Sequence, residues 1–84
     1  MPADYTLGIS EEVLAELVSS PRPTQRRMVA RLEPLKRTPF REGDYTEKDS
    51  DGLVNQVLLI DDLLVTYHTD HAAKVIRILR AEWV

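Results

Sequence analysis

The 84-residue sequence contains no cysteine, which excludes a disulfide framework and a thiolate-bound metal. It also lacks a long hydrophobic segment: the longest apolar run is Val57–Ile60, whereas a membrane-spanning helix needs about 20 apolar residues. The first residues, Met1–Tyr5, have neither the basic start nor the apolar centre of an export signal. We therefore expect a cytoplasmic protein that does not contact membranes. Its 43% hydrophobic and 30% charged residues are typical of a globular protein, with a single domain over residues 1–84.

The net charge is only −3, but acids and bases are segregated along the chain. Residues 1–21 carry four acids and no base, and residues 42–70 carry eight acids and one base. Between them, residues 22–41 carry seven bases and one acid, while residues 71–84 have a net charge of +2. Because electric fields depend on local charge distributions, the acidic total does not exclude binding to nucleic acid.

The hydrophobic periodicity predicts an α+β fold with the element order β-α-α-β-β-β-β. Apolar residues spaced by three and four indicate two helices, the first capped by Ser10, whereas alternating patterns indicate strands. The Asp51-Gly52 pair is typical of a hairpin turn. We predict that the helical hairpin packs on one face of an antiparallel β-meander. The predicted ranges are strand 5–9, helices 11–19 and 24–37, and strands 44–48, 53–60, 63–69 and 74–82.

This order of elements resembles the RelE/ParE superfamily of toxins. The similarity covers the helical hairpin at residues 11–37, the strand Asp62–Tyr67 that ends in tyrosine, and the last strand, Lys74–Arg80. The resemblance implies a toxin of a type II toxin-antitoxin system that a cognate antitoxin binds and neutralises. A RelE-like member would be a ribosome-dependent mRNA endonuclease, or mRNA interferase, with the ribosome and mRNA as partners. A ParE-like member would inhibit gyrase instead.

The residues that RelE-like nucleases use are replaced here. Leu64 stands where the resemblance places a strand arginine, and Val57 and Leu59 stand near two further basic positions. Trp83 and Val84 occupy the place of a histidine–arginine pair. Since RNA cleavage by a 2′-hydroxyl needs a base and cationic donors, the catalytic positions are degenerate and enzymatic activity stays an open question.

Four arginines in the second predicted helix are candidate RNA-binding residues. Arg27 and Arg31 are four positions apart and share one helix face, with Arg26 and Arg37 near its edges. Guanidinium groups bind phosphate through two parallel hydrogen bonds, which favours a nucleic-acid surface. The alternative is a solvated face that pairs with the acidic residues 42–52.

His68 is the candidate catalytic base. It alternates with Leu64 and Thr66 and has the opposite parity to Val65 and Tyr67, which predicts a position on the sheet face away from the helices. Histidine takes up and releases protons near neutral pH. The alternative is an ordinary surface histidine.

Arg80 is the second catalytic candidate, as a donor to phosphate. Ile76 and Ile78 have the same parity and the character of core residues, so the alternation leaves the face of Arg80 undecided. We expect no metal site, because His68, Asp70 and His71 are not joined by further ligands. We also expect no cofactor, because the sequence has no glycine-rich phosphate loop.

Apolar residues on both faces of two adjacent strands predict a partner surface. With two helices covering one side of the sheet, we expect Val57, Leu59 and Leu64 to be exposed on the other. This patch would bind an antitoxin segment or a second copy of the chain, forming a homodimer. A catalytically silent interaction module is therefore the alternative to an enzyme.

Overall fold

The computed structural model describes residues 4–84, so the first three residues of the predicted domain 1–84 lie outside the described residues. Its elements confirm the predicted α+β order, and no strand boundary differs from the prediction by more than one residue. No helix in the described part of the chain is long and apolar enough to span a bilayer. The elements are β1 Thr6–Ile9, α1 Glu11–Ser19, α2 Arg22–Leu32, a 3₁₀ segment Glu33–Arg37, β2 Tyr45–Lys48, β3 Val54–Ile60, β4 Leu63–Asp70 and β5 Val75–Trp83.

The five strands form one sheet in the order β1-β5-β4-β3-β2. Strands β2 to β5 are consecutive antiparallel neighbours, which confirms the predicted meander. Strand β1 adds to the free side of β5 and runs parallel to it. The first and last strands are therefore neighbours, and β1 and β2 form the two edges of the sheet.

The helical hairpin differs from the prediction in its second half. Ser10 caps α1 as expected, because its hydroxyl oxygen accepts a hydrogen bond from the Val13 amide at 3.3 Å. Helix α2 begins at Arg22, before the predicted start at residue 24, and ends at Leu32 rather than at residue 37. Pro34 has no amide hydrogen, and the chain continues as the tighter 3₁₀ segment.

The core lies between the helices and one face of the sheet. Tyr67 is buried there, as its parity with Val65 predicts, and its hydroxyl donates a hydrogen bond to the Arg41 carbonyl at 2.8 Å. Burial raises the pKa of this phenol, so it remains a neutral donor that holds the linker after α2 against the sheet. The buried core residues are Val13, Met28, Leu32, Leu35, Leu58, Leu63, Val65, Tyr67, Ile76, Ile78 and Ala81.

A β-bulge in β5 determines which of its side chains face the core. Tyr67 pairs with Ile78, but Thr66 pairs with Arg80, so Leu79 is an extra residue in the ladder. Ile78 faces the helices, whereas Arg80 shares the opposite face with Thr66. The bulge thus places Arg80 on the sheet face away from the helices, a position that simple alternation leaves undecided.

The backbone of the linker approaches β3 closely at Gly43. A Cβ atom on this residue would lie 2.5 Å from the Val57 carbonyl oxygen and 2.8 Å from the Val57 nitrogen. The Gly43 amide also donates to the Gln56 side chain at 2.7 Å, and the Asp44 amide donates to the Val57 carbonyl at 2.8 Å. The start of β2 therefore depends on the absence of a side chain at position 43.

Replacing Gly43 with alanine should lower the free energy of unfolding by about 1–3 kcal/mol, because the added methyl group forces two backbones apart. Urea denaturation followed by circular dichroism measures this change. The exposed neighbour Glu42→Ala serves as the control and should change stability by less than about 0.5 kcal/mol. Equal stabilities for Gly43→Ala and the parent chain would contradict the close approach.

Candidate functional site

The sheet face opposite the helices, here called the open face, carries the candidate catalytic residues. His68 on β4 pairs directly with Arg77 on β5. Arg77 was missed in the sequence analysis, although its position between the core residues Ile76 and Ile78 was a sufficient signal. The central residues of the open face are Asn55, Val57, Leu59, Leu64, Thr66, His68, Arg77 and Arg80, joined from the edge strand by Tyr45 and Glu47.

Asp70 holds Arg77 in place beside His68. The Arg77 Nη2 atom lies 3.5 Å from Asp70 Oδ2, while Asp70 Oδ1 accepts a hydrogen bond from the Ala73 amide at 3.0 Å. The Ala73 hydrogen bond is the main cause that lowers the pKa of Asp70, and Arg77 lowers it further. Asp70 is therefore ionised at neutral pH, where it can orient the guanidinium of Arg77.

An ion pair crosses the middle of the open face. Arg80 Nη2 on β5 lies 2.6 Å from Glu47 Oε1 on β2, although β3 and β4 separate these two strands. Asn55, Val57 and Thr66 lie on the strands between them and are all buried. The prediction that Val57 is exposed is wrong: the residue is 1% exposed and lies between Tyr45 on β2 and Thr66 on β4.

The apolar patch predicted on the open face is therefore smaller than expected. Leu59 is 47% exposed, and its neighbour Leu64 is partly buried. Tyr45, on the edge strand, is also exposed and pairs with Val57. Tyr45, Leu59 and Leu64 form the exposed apolar part of this face, next to its cationic part around His68.

Two of the four candidate RNA-binding arginines form ion pairs with carboxylates of the turn between β3 and β4. Arg31 Nε lies 3.2 Å from Asp62 Oδ1 and 3.4 Å from Asp61 Oδ2. Arg27 lies 3.6 Å from Asp62, and its guanidinium carbon is 4.4 Å from the centre of the Trp83 ring. The acids that neutralise this helix face thus belong to the Asp61-Asp62 turn rather than to residues 42–52.

The other two candidates, Arg26 and Arg37, are exposed at opposite ends of the helical segment. Within residues 4–84, neither has a carboxylate within 4.0 Å. The four arginines consequently do not form one surface. Their free positive charge lies at Arg26 and at Arg37, where the chain leaves the 3₁₀ segment.

An aromatic cluster lies where the linker meets the turn between β4 and β5. The Phe40 ring stacks on the His71 ring with centroids 4.6 Å apart and planes at 10°. The Tyr5 hydroxyl lies 2.7 Å from His71 Nδ1, and the Tyr5 ring meets Phe40 edge-on. A cleft of about 330 Å³ on one side of Phe40 is also lined by His68. In the described chain, histidine and carboxylate side chains form no group of three that could hold a metal.

Comparison with solved structures identifies the fold. The chain is similar to a chain of the archaeal RelE-RelB complex from Pyrococcus horikoshii OT3, with a TM-score of 0.66 and 23% identity over 94% of this chain and 93% of that one. It is also similar to a chain of the toxin-antitoxin complex RelBE2 from Mycobacterium tuberculosis, with a TM-score of 0.75 and 18% identity over 98% and 100% of the two chains. No protein-family model and no curated protein sequence matches. These similarities confirm the RelE-like fold.

Replacing Asp62 with asparagine should lower the free energy of unfolding by about 1 kcal/mol, because Arg27 and Arg31 lose their shared carboxylate. The loss should shrink as salt rises from low to high concentration, since salt screens partly exposed ion pairs. Thermal unfolding at the two salt concentrations measures both effects. Asp51→Asn, in the exposed turn between β2 and β3, is the matched control. A loss independent of salt would contradict an electrostatic role.

Proposed function

We propose that the chain is the toxin component of a type II toxin-antitoxin system and that a cognate antitoxin binds it. The observation that carries this proposal is the fold, which covers nearly the whole chain and is shared with chains of two toxin-antitoxin complexes. The small size of the domain and the apolar residues on its open face also support a protein partner.

The apolar part of the open face is the proposed contact for the antitoxin. Leu59 and Leu64 pair directly across β3 and β4, and Tyr45 lies on the short edge strand β2, where it pairs with Val57. An antitoxin segment could bury these side chains and hydrogen-bond to the edge of the sheet at the same time. A homodimer, or an interaction module without toxicity, would use the same side chains.

Expression of the chain alone in a bacterial host should arrest growth, and co-expression of the product of the adjoining reading frame should restore it. Leu59→Lys should weaken co-purification of that product, because a charge would replace an exposed apolar contact. Leu53→Lys, in the loop between β2 and β3, is the control and should leave co-purification unchanged. Undisturbed growth with folded chain present would refute the toxin. Light scattering that shows a dimer without partner would favour the homodimer.

As a second candidate function, we propose that the open face cleaves mRNA on the ribosome. The observation that favours it is the β-bulge, which places Arg80 on the same face as the His68–Arg77 pair. These residues supply a base and two cationic donors despite the substitutions at Val57, Leu59 and Leu64. The exposed Arg26 would contact ribosomal RNA, and the exposed Arg37 would contact phosphates of the bound RNA.

The cleavage step follows from the chemistry of these groups. His68 takes the proton from a ribose 2′-hydroxyl, and the 2′ oxygen forms a bond to the adjacent phosphorus. The bond from phosphorus to the 5′ oxygen breaks, this oxygen takes a proton from water, and the remaining hydroxide takes the proton held by His68. The products are a 2′,3′-cyclic phosphate and a 5′-hydroxyl. Arg77 and Arg80 would stabilise the negative charge that develops on the phosphorane. Since Glu47 neutralises Arg80 in the unbound chain, RNA phosphate would have to replace this carboxylate.

His68→Ala should reduce mRNA cleavage on translating ribosomes about 100-fold, because the reaction loses its base. Glu47→Gln should leave cleavage intact or raise it, because it releases Arg80. Primer extension on purified ribosomes measures both variants, and Asp51→Asn serves as the control. Growth arrest without mRNA cleavage would refute this candidate function. If gyrase also lost its DNA supercoiling activity, the result would support a ParE-like activity instead.

A further inference from the structure

Phe40 is the most exposed large hydrophobic side chain in the described part of the molecule, and its ring contacts two other rings. One face of the ring stacks on His71, and Tyr5 contacts it edge-on. Nevertheless, 76% of the residue is exposed, so the other ring face is open to solvent. Since His71 in turn contacts the Tyr5 hydroxyl at 2.7 Å, the Phe40 ring belongs to an aromatic cluster of three side chains.

Cations outnumber acids in a cleft beside this stack. The cleft has a volume of about 720 Å³ and adjoins Phe40, and its charged lining residues are Lys36, Arg37 and Lys74 together with Asp4 and Glu33. Glu33 neutralises Lys36 at 2.9 Å, whereas Arg37 and Lys74 have no carboxylate within 4.0 Å in the described chain. The lining therefore combines an aromatic ring with two cations that have no carboxylate partner. This combination is the one that single-stranded nucleic acid requires: a surface for base stacking and charges for the phosphates.

We propose that Phe40 is a stacking platform for a base of single-stranded RNA, whose phosphates are bound by Arg37 and Lys74. The base adds to the open ring face and extends the stack formed by His71 and Phe40. The Phe40 ring also borders the smaller cleft that contains His68. A strand that binds in both clefts would therefore pass from the cations beside Phe40 to the candidate base on the open face.

This inference rests on the second candidate function for the identity of the strand, but it can be tested without cleavage. The probe is a short oligonucleotide with 2′-O-methyl groups, which has no free 2′-hydroxyl and cannot be cut by the proposed reaction. One position carries 2-aminopurine, whose fluorescence falls when it stacks on an aromatic ring. Titration with the parent chain should quench this fluorescence.

Phe40→Leu should weaken binding about tenfold and abolish the quenching, because the leucine side chain is apolar but cannot stack. Phe40→Trp should restore both signals. Leu53→Ala, which removes an exposed apolar side chain from another loop, is the control and should bind like the parent. Thermal unfolding shows whether Phe40→Leu remains folded. If that variant is unstable, the test rests on the parent chain and on Phe40→Trp, which should both bind the probe and quench its fluorescence.

Arg37→Gln should weaken binding and lower the slope of log affinity against log salt by about 1, since one phosphate contact is lost. Arg22→Gln, which removes an exposed arginine from the start of α2, is its matched control and should leave the slope unchanged. Binding without quenching, or equal binding by Phe40→Leu and Phe40→Trp, would overturn the stacking platform. Binding and quenching without any RNA cleavage by the parent chain would support the platform and refute the nuclease.

Discussion

The extra residue in strand β5 is the constraint on which both sides of the sheet depend. With Leu79 outside the regular ladder, Ile76 and Ile78 can pack under the helices while Arg80 and its partner Thr66 face the other way. A strand with uninterrupted alternation would direct Arg80 into the core, where an unpaired guanidinium is costly. The same single-residue shift returns Ala81 to the core opposite Val65. The bulge thus lets one strand complete the hydrophobic core and supply cations to the open face.

The helices cover only one side of the sheet, yet residues at the centre of the open face are also buried. Val57 and Thr66 are buried on this face, and the ion pair between Glu47 and Arg80 spans it from one edge strand to β5. The ion pair neutralises Arg80 in the unbound chain. In the proposed nuclease, RNA phosphate would have to replace the carboxylate that Arg80 contacts in the unbound chain.

The elements were predictable because each has a local signal, such as the cap at Ser10 or the turn at Gly52, whose φ of 82° suits glycine. The bulge has no such signal, because Leu79 is as apolar as a regular strand residue. The burial of Val57 was not predictable either, since its neighbours Tyr45 and Thr66 are determined by the pairing of three strands. Internal neutralisation of the basic helix was anticipated as an alternative, but its partner Asp62 is determined by how α2 packs over the β3–β4 turn.

The positions of cationic side chains without a carboxylate partner indicate where a nucleic acid could bind. A count of arginines favours the helix face of Arg27 and Arg31, yet both guanidinium groups are already engaged by carboxylates. A cation that already has a carboxylate partner must lose that partner to bind a new anion, whereas an unpaired cation loses only hydration. Arg37 and Lys74 border an exposed aromatic ring at the end of the 3₁₀ segment. By this criterion they are better suited to bind phosphate than the helix face of Arg27 and Arg31. The number of cations in a segment of the sequence therefore differs from the number that lack a carboxylate partner in the fold. The cations without a partner determine where a polyanion can bind.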